Sequence, residues 1–208
     1  MKITKLWMLA AILTCGIVLT ACSNNDDPVV PPTDDVEAQL QKMTLREKVG
    51  QMFFIRMESL DPSIDWTTYD DLANIKIKEV TENMKAVNEN YPVGGIILYA
   101  WNIANETQLA RLIPQVRALN GNPLLCIDEE GGRVSRIANN PNFNVKKYES
   151  MASIGATGDP RNAYECGNTI GTYLQRYGFD IDFAPVADVN TNPENVVIGP
   201  RAFSDDTT

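Results

Sequence analysis
Short apolar runs and longer amphipathic stretches alternate along this chain. Gln51 to Ile55, Ile96-Ile97-Leu98-Tyr99, Leu124 to Ile127 and Ile181 to Val186 are too short for helices and read as four strands. Between them the period changes. Ala73, Ile77, Val80, Met84 and Val87 recur at helical spacing, opposite Lys76, Lys78, Glu79, Glu82 and Lys85, which predicts one helix over 69–90. Asn105 with Gln108 starts a second, whose apolar face is Leu109, Leu112, Ile113, Val116 and Leu119. Pro114 lies inside it and is expected to kink or split it. Asp159-Pro160 begins a third, with Ala163, Ile170, Leu174 and Tyr177 as its stripe and Gly178 as its stop. Its Gly167 and Gly171 are expected to allow close packing on a sheet. Thr44-Leu45-Arg46-Glu47 has the capping-box pattern of a short helix start.

Strands that alternate with helices imply parallel βα units, whose ligands sit at the C-terminal strand ends. Two polar clusters fall there. After Leu124 to Ile127 come Asp128-Glu129-Glu130, then Gly131-Gly132, then Arg133 and Arg136. The strand reads as covered on both faces, with Asp128 at its end. The glycines let the backbone turn or approach a ligand, and the arginines can grip hydroxyls or carboxylates in pairs. The second cluster runs from Asp188 to Arg201 after the fourth strand. The same pattern also fits internal ion pairs in a loop that binds nothing. No phosphate-binding glycine loop and no Gly-x-Ser-x-Gly elbow is present.

The termini and the charge narrow the picture. Lys2 and Lys5 precede an apolar core from Leu6 to Leu19, which reads as a signal segment over 1–21. Leu19-Thr20-Ala21-Cys22 resembles a bacterial lipobox, with Cys22 the lipidated residue, and Ser23 to Asp27 resembles the acidic tether of surface lipoproteins. An acidic, Pro/Asn/Asp-rich linker over 22–36 then leads into a folded part over 37–208. This predicts an outer membrane lipoprotein, facing the periplasm or the cell surface and anchored to the membrane by its lipid. Without the signal lysines the formal net charge moves from −9 to −11, which argues against nucleic acid as a partner. Cys126 and Cys166 read as buried thiols, no metal-ligand spacing exists, and no cofactor is expected. The chain contains no histidine.

Four blocks, in order, carry a resemblance. Met43 to Met52, Gly94 to Leu98, Ile127 to Val134, and Phe183 to Val189 continuing through Asn192-Pro193 to Ile198-Gly199-Pro200-Arg201-Ala202-Phe203 are similar to the N-terminal barrel of glycoside hydrolase family 3. The Glu-Gly-Gly-Arg-Val form resembles its β-N-acetylhexosaminidase branch. The resemblance implies an α/β fold, a TIM-type (β/α)8 barrel, of which this chain would hold about the first four strands. It also implies retaining hydrolysis of terminal β-linked N-acetylhexosamine, with an N-acetylglucosamine-containing glycan as partner. Asp128 corresponds to an aspartate that accepts two sugar hydroxyls, and Arg136 and Arg201 to sugar-contacting arginines. Asp188 is expected behind them, orienting Arg201, and Glu129, Glu130 and Arg133 are expected to build the loop. The branch uses a histidine as proton donor and a later aspartate as nucleophile. Neither is expected here, so no catalytic residue is assigned and the chain alone is expected to be an inactive fragment. The alternatives are a non-catalytic sugar-binding surface lipoprotein and a β-glucosidase-type member of the same family.

Overall fold
The computed structural model describes residues 34–65, 67 and 77–206. The expected signal segment, Cys22 and most of the linker lie outside these residues, as do Tyr69 to Lys76 of the first expected long helix. The element order is α1 (Asp34–Lys42), α2 (Leu45–Gly50), β1 (Phe54–Arg56), α3 (Glu82–Asn90), β2 (Gly95–Leu98), α4 (Glu106–Arg117), β3 (Leu124–Ile127), β4 (Glu129–Gly131), β5 (Val134–Ser135), α5 (Met151–Gly155), α6 (Pro160–Tyr177) and β6 (Ile181–Asp182). Strands β1-β2-β3-β6 form one sheet in that order, all parallel, and β4 and β5 form a small antiparallel hairpin. The expected parallel α/β architecture is therefore present, with its four strands in sequence order.

One face of the sheet carries the core. Ile96, Leu98, Leu125 and Ile127 are fully buried, together with Leu109, Leu112 and Val116 of α4, Met84 of α3 and Ile170 and Leu174 of α6. The other face differs from the expectation for Leu124–Ile127. Phe54, Gly95 and Leu124 lie side by side in register, and Leu124 remains 42% exposed. The strand is covered on its helix side, and on the other face Cys126 is buried while Leu124, at its start, is open. Phe54 of β1, which lies over Gly95, and Phe183, which directly follows β6, meet edge to face at 6.2 Å. Flat strands about 4.8 Å apart would keep these rings much further separated, so the sheet curls toward this face. That curl is the curvature of a barrel wall.

Local chemistry explains the element ends. Thr44 Oγ1 accepts from Glu47 N–H while the Glu47 carboxylate accepts from Thr44 N–H at 2.7 Å, closing the expected capping box of α2. The first strand begins three residues later than expected, because Met52 and Phe53 donate back to Val49 and Gly50 and spend their N–H groups in a turn. Two chain segments cross behind it, where Gly94 N–H donates to Gly50 C=O and a side chain on Gly94 would collide with the Gln51 backbone at 2.2 Å. Asn105 caps α4 through Gln108 N–H, and Asp159 caps α6 through Arg161 N–H. Gly178 ends α6 in the left-handed region, as its position predicted.

Four further expectations need correction. Among the described residues of the helix predicted over 69–90, the helix starts at Glu82, because Thr81 caps it. Residues 77–81 are instead a strap held by side chains. Asn102 donates to Ile77 C=O, Gln108 donates to Lys78 C=O, and Gln115 accepts from Val80 N–H. Their apolar spacing is that of a helix, but their backbone groups are bonded by α4 and the turn after β2. Helix α4 runs through Pro114 without splitting. Pro114 and Ala110, whose carbonyl loses its donor, are both exposed, so water can replace the missing bond. Gly167 and Gly171 are exposed, and a side-chain carbon added at either would meet nothing within 4 Å, so they do not pack on the sheet. Strand β6 is shorter than Ile181 to Val186. Phe183 N–H still donates to Ile127 C=O, but Pro185 has no N–H to continue the ladder.

Candidate functional site
The polar stretch after β3 folds back on itself as the β4–β5 hairpin. Gly131 and Gly132 make its turn at φ of 88° and 68°. A side chain at Gly132 would meet the Ser150 backbone at 2.8 Å, so here the glycines serve a turn against the chain itself. Glu129 is fully buried beneath the turn. Its carboxylate accepts from Arg136 N–H at 2.6 Å, from Ile137 and Ala138 N–H at 2.9 Å each, and from the Tyr173 hydroxyl of α6 at 2.8 Å. One side chain thus ties the segment carrying Arg136 to β4 and to α6. Burial and the Glu129 charge push the Tyr173 phenol far up, so it remains a donor. Glu129 is therefore a structural anchor, in keeping with the loop-building part expected of it.

Asp128 stands at the C-terminal end of β3, where it was expected. Arg136 Nη2 donates to its Oδ2 at 2.8 Å, and both side chains keep about a quarter of their surface exposed. Tyr99, at the end of β2, lies under this pair, with the Arg136 guanidinium 5.5 Å from its ring centre. Burial and then the Asp128 charge raise its phenol above the ordinary value. Arg201 is held by Glu130 through two parallel bonds, from Nε at 2.8 Å and Nη2 at 2.7 Å. Such a paired grip was expected of Arg133 and Arg136; the structure has it at Arg201 instead. Glu130 orients Arg201 directly. Asp188 stays exposed and acts on Arg201 only through its charge, as does Asp128. Arg133 is exposed and donates to Val196 C=O at 2.6 Å, tying the hairpin to the loop before Arg201.

Sequence reasoning passed over Tyr99, Glu58 and Asp182. Tyr99 and Glu58 were findable, since each follows a strand on the edge that carries Asp128. Asp182 lies inside β6 and accepts from Glu129 N–H at 2.8 Å. Burial lifts its carboxyl to about 7, against that hydrogen bond, and the charges of Glu129, Asp128 and Glu130 add to the rise. A folded-state value above the unfolded one means that the folded protein keeps a proton the unfolded chain releases. Stability from this group is full below about pH 4, falls as pH rises and is gone above about 7. Asp182→Asn keeps the acceptor and cannot ionise. It should raise stability at about pH 8 by on the order of 1–2 kcal/mol, after discounting for partial exposure, and leave it little changed at about pH 4. Urea unfolding at the two pH values measures this. Cys126 and Cys166 are free and buried, and burial pushes the Cys126 thiol up to about 12.

This geometry can be set beside known proteins. The Glycosyl hydrolase family 3 N terminal domain matches residues 44–208. A β-hexosaminidase of Pseudomonas aeruginosa is 36% identical over 118 residues, which are 55% of this chain and 33% of that protein. This chain therefore spans about a third of the length of that curated relative. Among solved structures, a glycoside hydrolase family 3 β-N-acetylglucosaminidase from Paenibacillus sp. superposes with a TM-score of 0.62 at 30% identity, covering 77% of this chain and 27% of that one. NagZ from Neisseria gonorrhoeae in complex with N-trifluoroacetyl-D-glucosamine gives 0.54 at 26% identity, covering 73% and 40%. The matched segment holds the whole curled sheet and the Asp128, Arg136 and Arg201 edge described above, and by that match the chain belongs to the glycosyl hydrolase family 3 N-terminal domain family.

Proposed function
We propose that this chain supplies the sugar-holding part of a glycoside hydrolase that removes terminal β-linked N-acetylhexosamine with retention. The observation that carries the reading is the Asp128–Arg136 pair at the end of β3. Arg136 occupies Oδ2, and among the described residues Oδ1 accepts no hydrogen bond. A sugar hydroxyl can donate to Oδ1 and accept from the neighbouring guanidinium, so one vicinal diol satisfies both groups. Arg201, locked by Glu130, presents a second cation to the same edge. The names of the Pseudomonas and Paenibacillus relatives, and the glucosamine derivative bound by NagZ, support an N-acetylated sugar.

Within this chain the residues bind and orient. Retention also needs a nucleophile and a proton donor across the glycosidic bond. The 208 residues contain no histidine, so the histidine donor expected from the resemblance is not among them. The reading extends to location, with the chain held at the outer membrane through lipid on Cys22.

Calorimetric titration of the 208-residue chain tests the sugar. N-acetylglucosamine is expected to bind and glucose to bind at least about tenfold more weakly, a difference of about 1.4 kcal/mol. No aryl β-N-acetylglucosaminide is expected to be hydrolysed by this chain alone. Equal binding of glucose would favour the β-glucosidase alternative. Turnover at an enzyme-like rate would place the missing chemistry inside these residues.

A further inference from the structure
Besides Glu129 and Glu130, another buried carboxylate stands on the sheet edge that carries Asp128. Glu58 follows β1 in the 3-10 turn Met57–Leu60 and is 2% exposed. Its Oε1 accepts from Trp101 Nε1 at 2.7 Å and from Asn102 Nδ2. Its Oε2 has no hydrogen-bond partner among the described residues. Met57 and Leu60 beside it are fully buried and apolar. A carboxylate there with half its acceptor capacity idle costs stability, and a leucine would suit the surroundings better. What Glu58 holds is the more informative feature.

Trp101 stacks on Tyr99, with ring centres 4.7 Å apart and planes within 2° of parallel. The Arg136 guanidinium lies 5.5 Å from the centre of the Tyr99 ring. Arg136 makes one side-chain bond, from Nη2 to Asp128, and its buried Nε has no partner among the described residues. One bond leaves a planar guanidinium free to pivot, and an aromatic face beneath it supplies the missing orientation.

We propose that Glu58 is a positioning residue: by pinning Trp101 it fixes the Trp101–Tyr99 stack against which Arg136 lies, and so sets the Arg136–Asp128 pair for its sugar. The benefit to sugar binding rests on the function proposed above. The link from Glu58 to Arg136 can be measured without sugar.

The ligand-free measurement is the rate at which phenylglyoxal modifies Arg136, mapped by peptide mass spectrometry, with exposed Arg161 as internal reference. Glu58→Leu fills the space but cannot accept a hydrogen bond, and should raise the Arg136 rate about tenfold while Arg161 is unchanged. Glu58→Gln should stay near wild type, because its amide oxygen accepts from the same Trp101 and Asn102 donors. Trp101→Phe keeps a ring but loses the donor and should match Glu58→Leu; it carries the test if that variant fails to fold. The double variant should be no worse than either single one, since both break the same link. An unchanged Arg136 rate in Glu58→Leu and Trp101→Phe overturns the proposal. So does a rise shared by Arg201 and accompanied by a large fall in melting temperature, which is general loosening. N-acetylglucosamine titration then reads the consequence, expected as about a tenfold loss of affinity in Glu58→Leu. Wild-type affinity in a variant with a mobile Arg136 overturns the claim that the stack serves sugar binding. Failure of the wild type to bind refutes the function proposed above, while the Arg136 rates still decide the positioning.

Discussion

Alanine in place of Glu129 is expected to leave the chain unfolded. The carboxylate is fully buried and accepts four hydrogen bonds, three from consecutive backbone N–H groups of residues 136–138 and one from Tyr173. Hydrogen bonds to a charged group contribute about 1.5–3 kcal/mol each, and donors left buried without an acceptor cost about 1–3 kcal/mol each. These terms are not additive. Even so, a loss above about 4 kcal/mol is expected, comparable with the whole stability of a domain at the lower end of 5–15 kcal/mol. Glutamine should do less harm but still substantial harm. It retains one acceptor oxygen and turns an amide NH2 toward a donor. Tyr173→Phe removes a single donor and should cost about 1.5 kcal/mol. Urea unfolding followed by circular dichroism orders the three variants. A folded Glu129→Ala with near wild-type midpoint would show that the hairpin is anchored by something else.

The second large effect is on binding. Asp128→Ala should lower affinity for N-acetylglucosamine by on the order of a hundredfold, about 2.7 kcal/mol, the worth of a charge-assisted hydrogen bond to the sugar. It also leaves Arg136 without its side-chain partner. The fold should hardly notice. The Asp128–Arg136 pair is about a quarter exposed on each side, and such pairs contribute about 0–1 kcal/mol. Asp128→Asn keeps one acceptor oxygen without the charge and should fall between. Calorimetric titration alongside thermal melting separates the two effects. Loss of binding in step with loss of melting temperature would assign Asp128 to structure.

The opposite outcomes expected at Asp128 and Glu129, adjacent in sequence, show how much of the site was legible. The strand ending in Asp128, the turn at Gly131-Gly132 and the return at Arg136 follow from apolar run length and glycine placement. The loop-building part of Glu129 could be inferred, but its four partners could not: three are N–H groups seven to nine residues on, brought back by the hairpin, and the fourth, Tyr173, comes from 44 residues away through the fold. Arg201 was singled out, but the carboxylate that bonds it, Glu130, was not. Asp188 is nearer in sequence, while Glu130 reaches Arg201 from across 71 residues through the fold. The same limit explains the strap at residues 77–81. Ile77 and Val80 have helical spacing, and only the tertiary bonds from Asn102, Gln108 and Gln115 show that their backbone is not helical. Helix α6, by contrast, has its cap, first-turn proline and stop in its own residues, and the structure reproduces both ends.

The central claim is that the Asp128–Arg136 edge holds an N-acetylated sugar. A crystal structure of the chain with N-acetylglucosamine tests it most directly. The sugar is expected at the C-terminal end of β3, with one hydroxyl donating to Asp128 Oδ1 and a neighbouring one accepting from Arg136. Sugar bound away from that edge, for example in the apolar groove of about 310 Å³ lined by Met151, Cys166, Ile170 and Phe203, would contradict it.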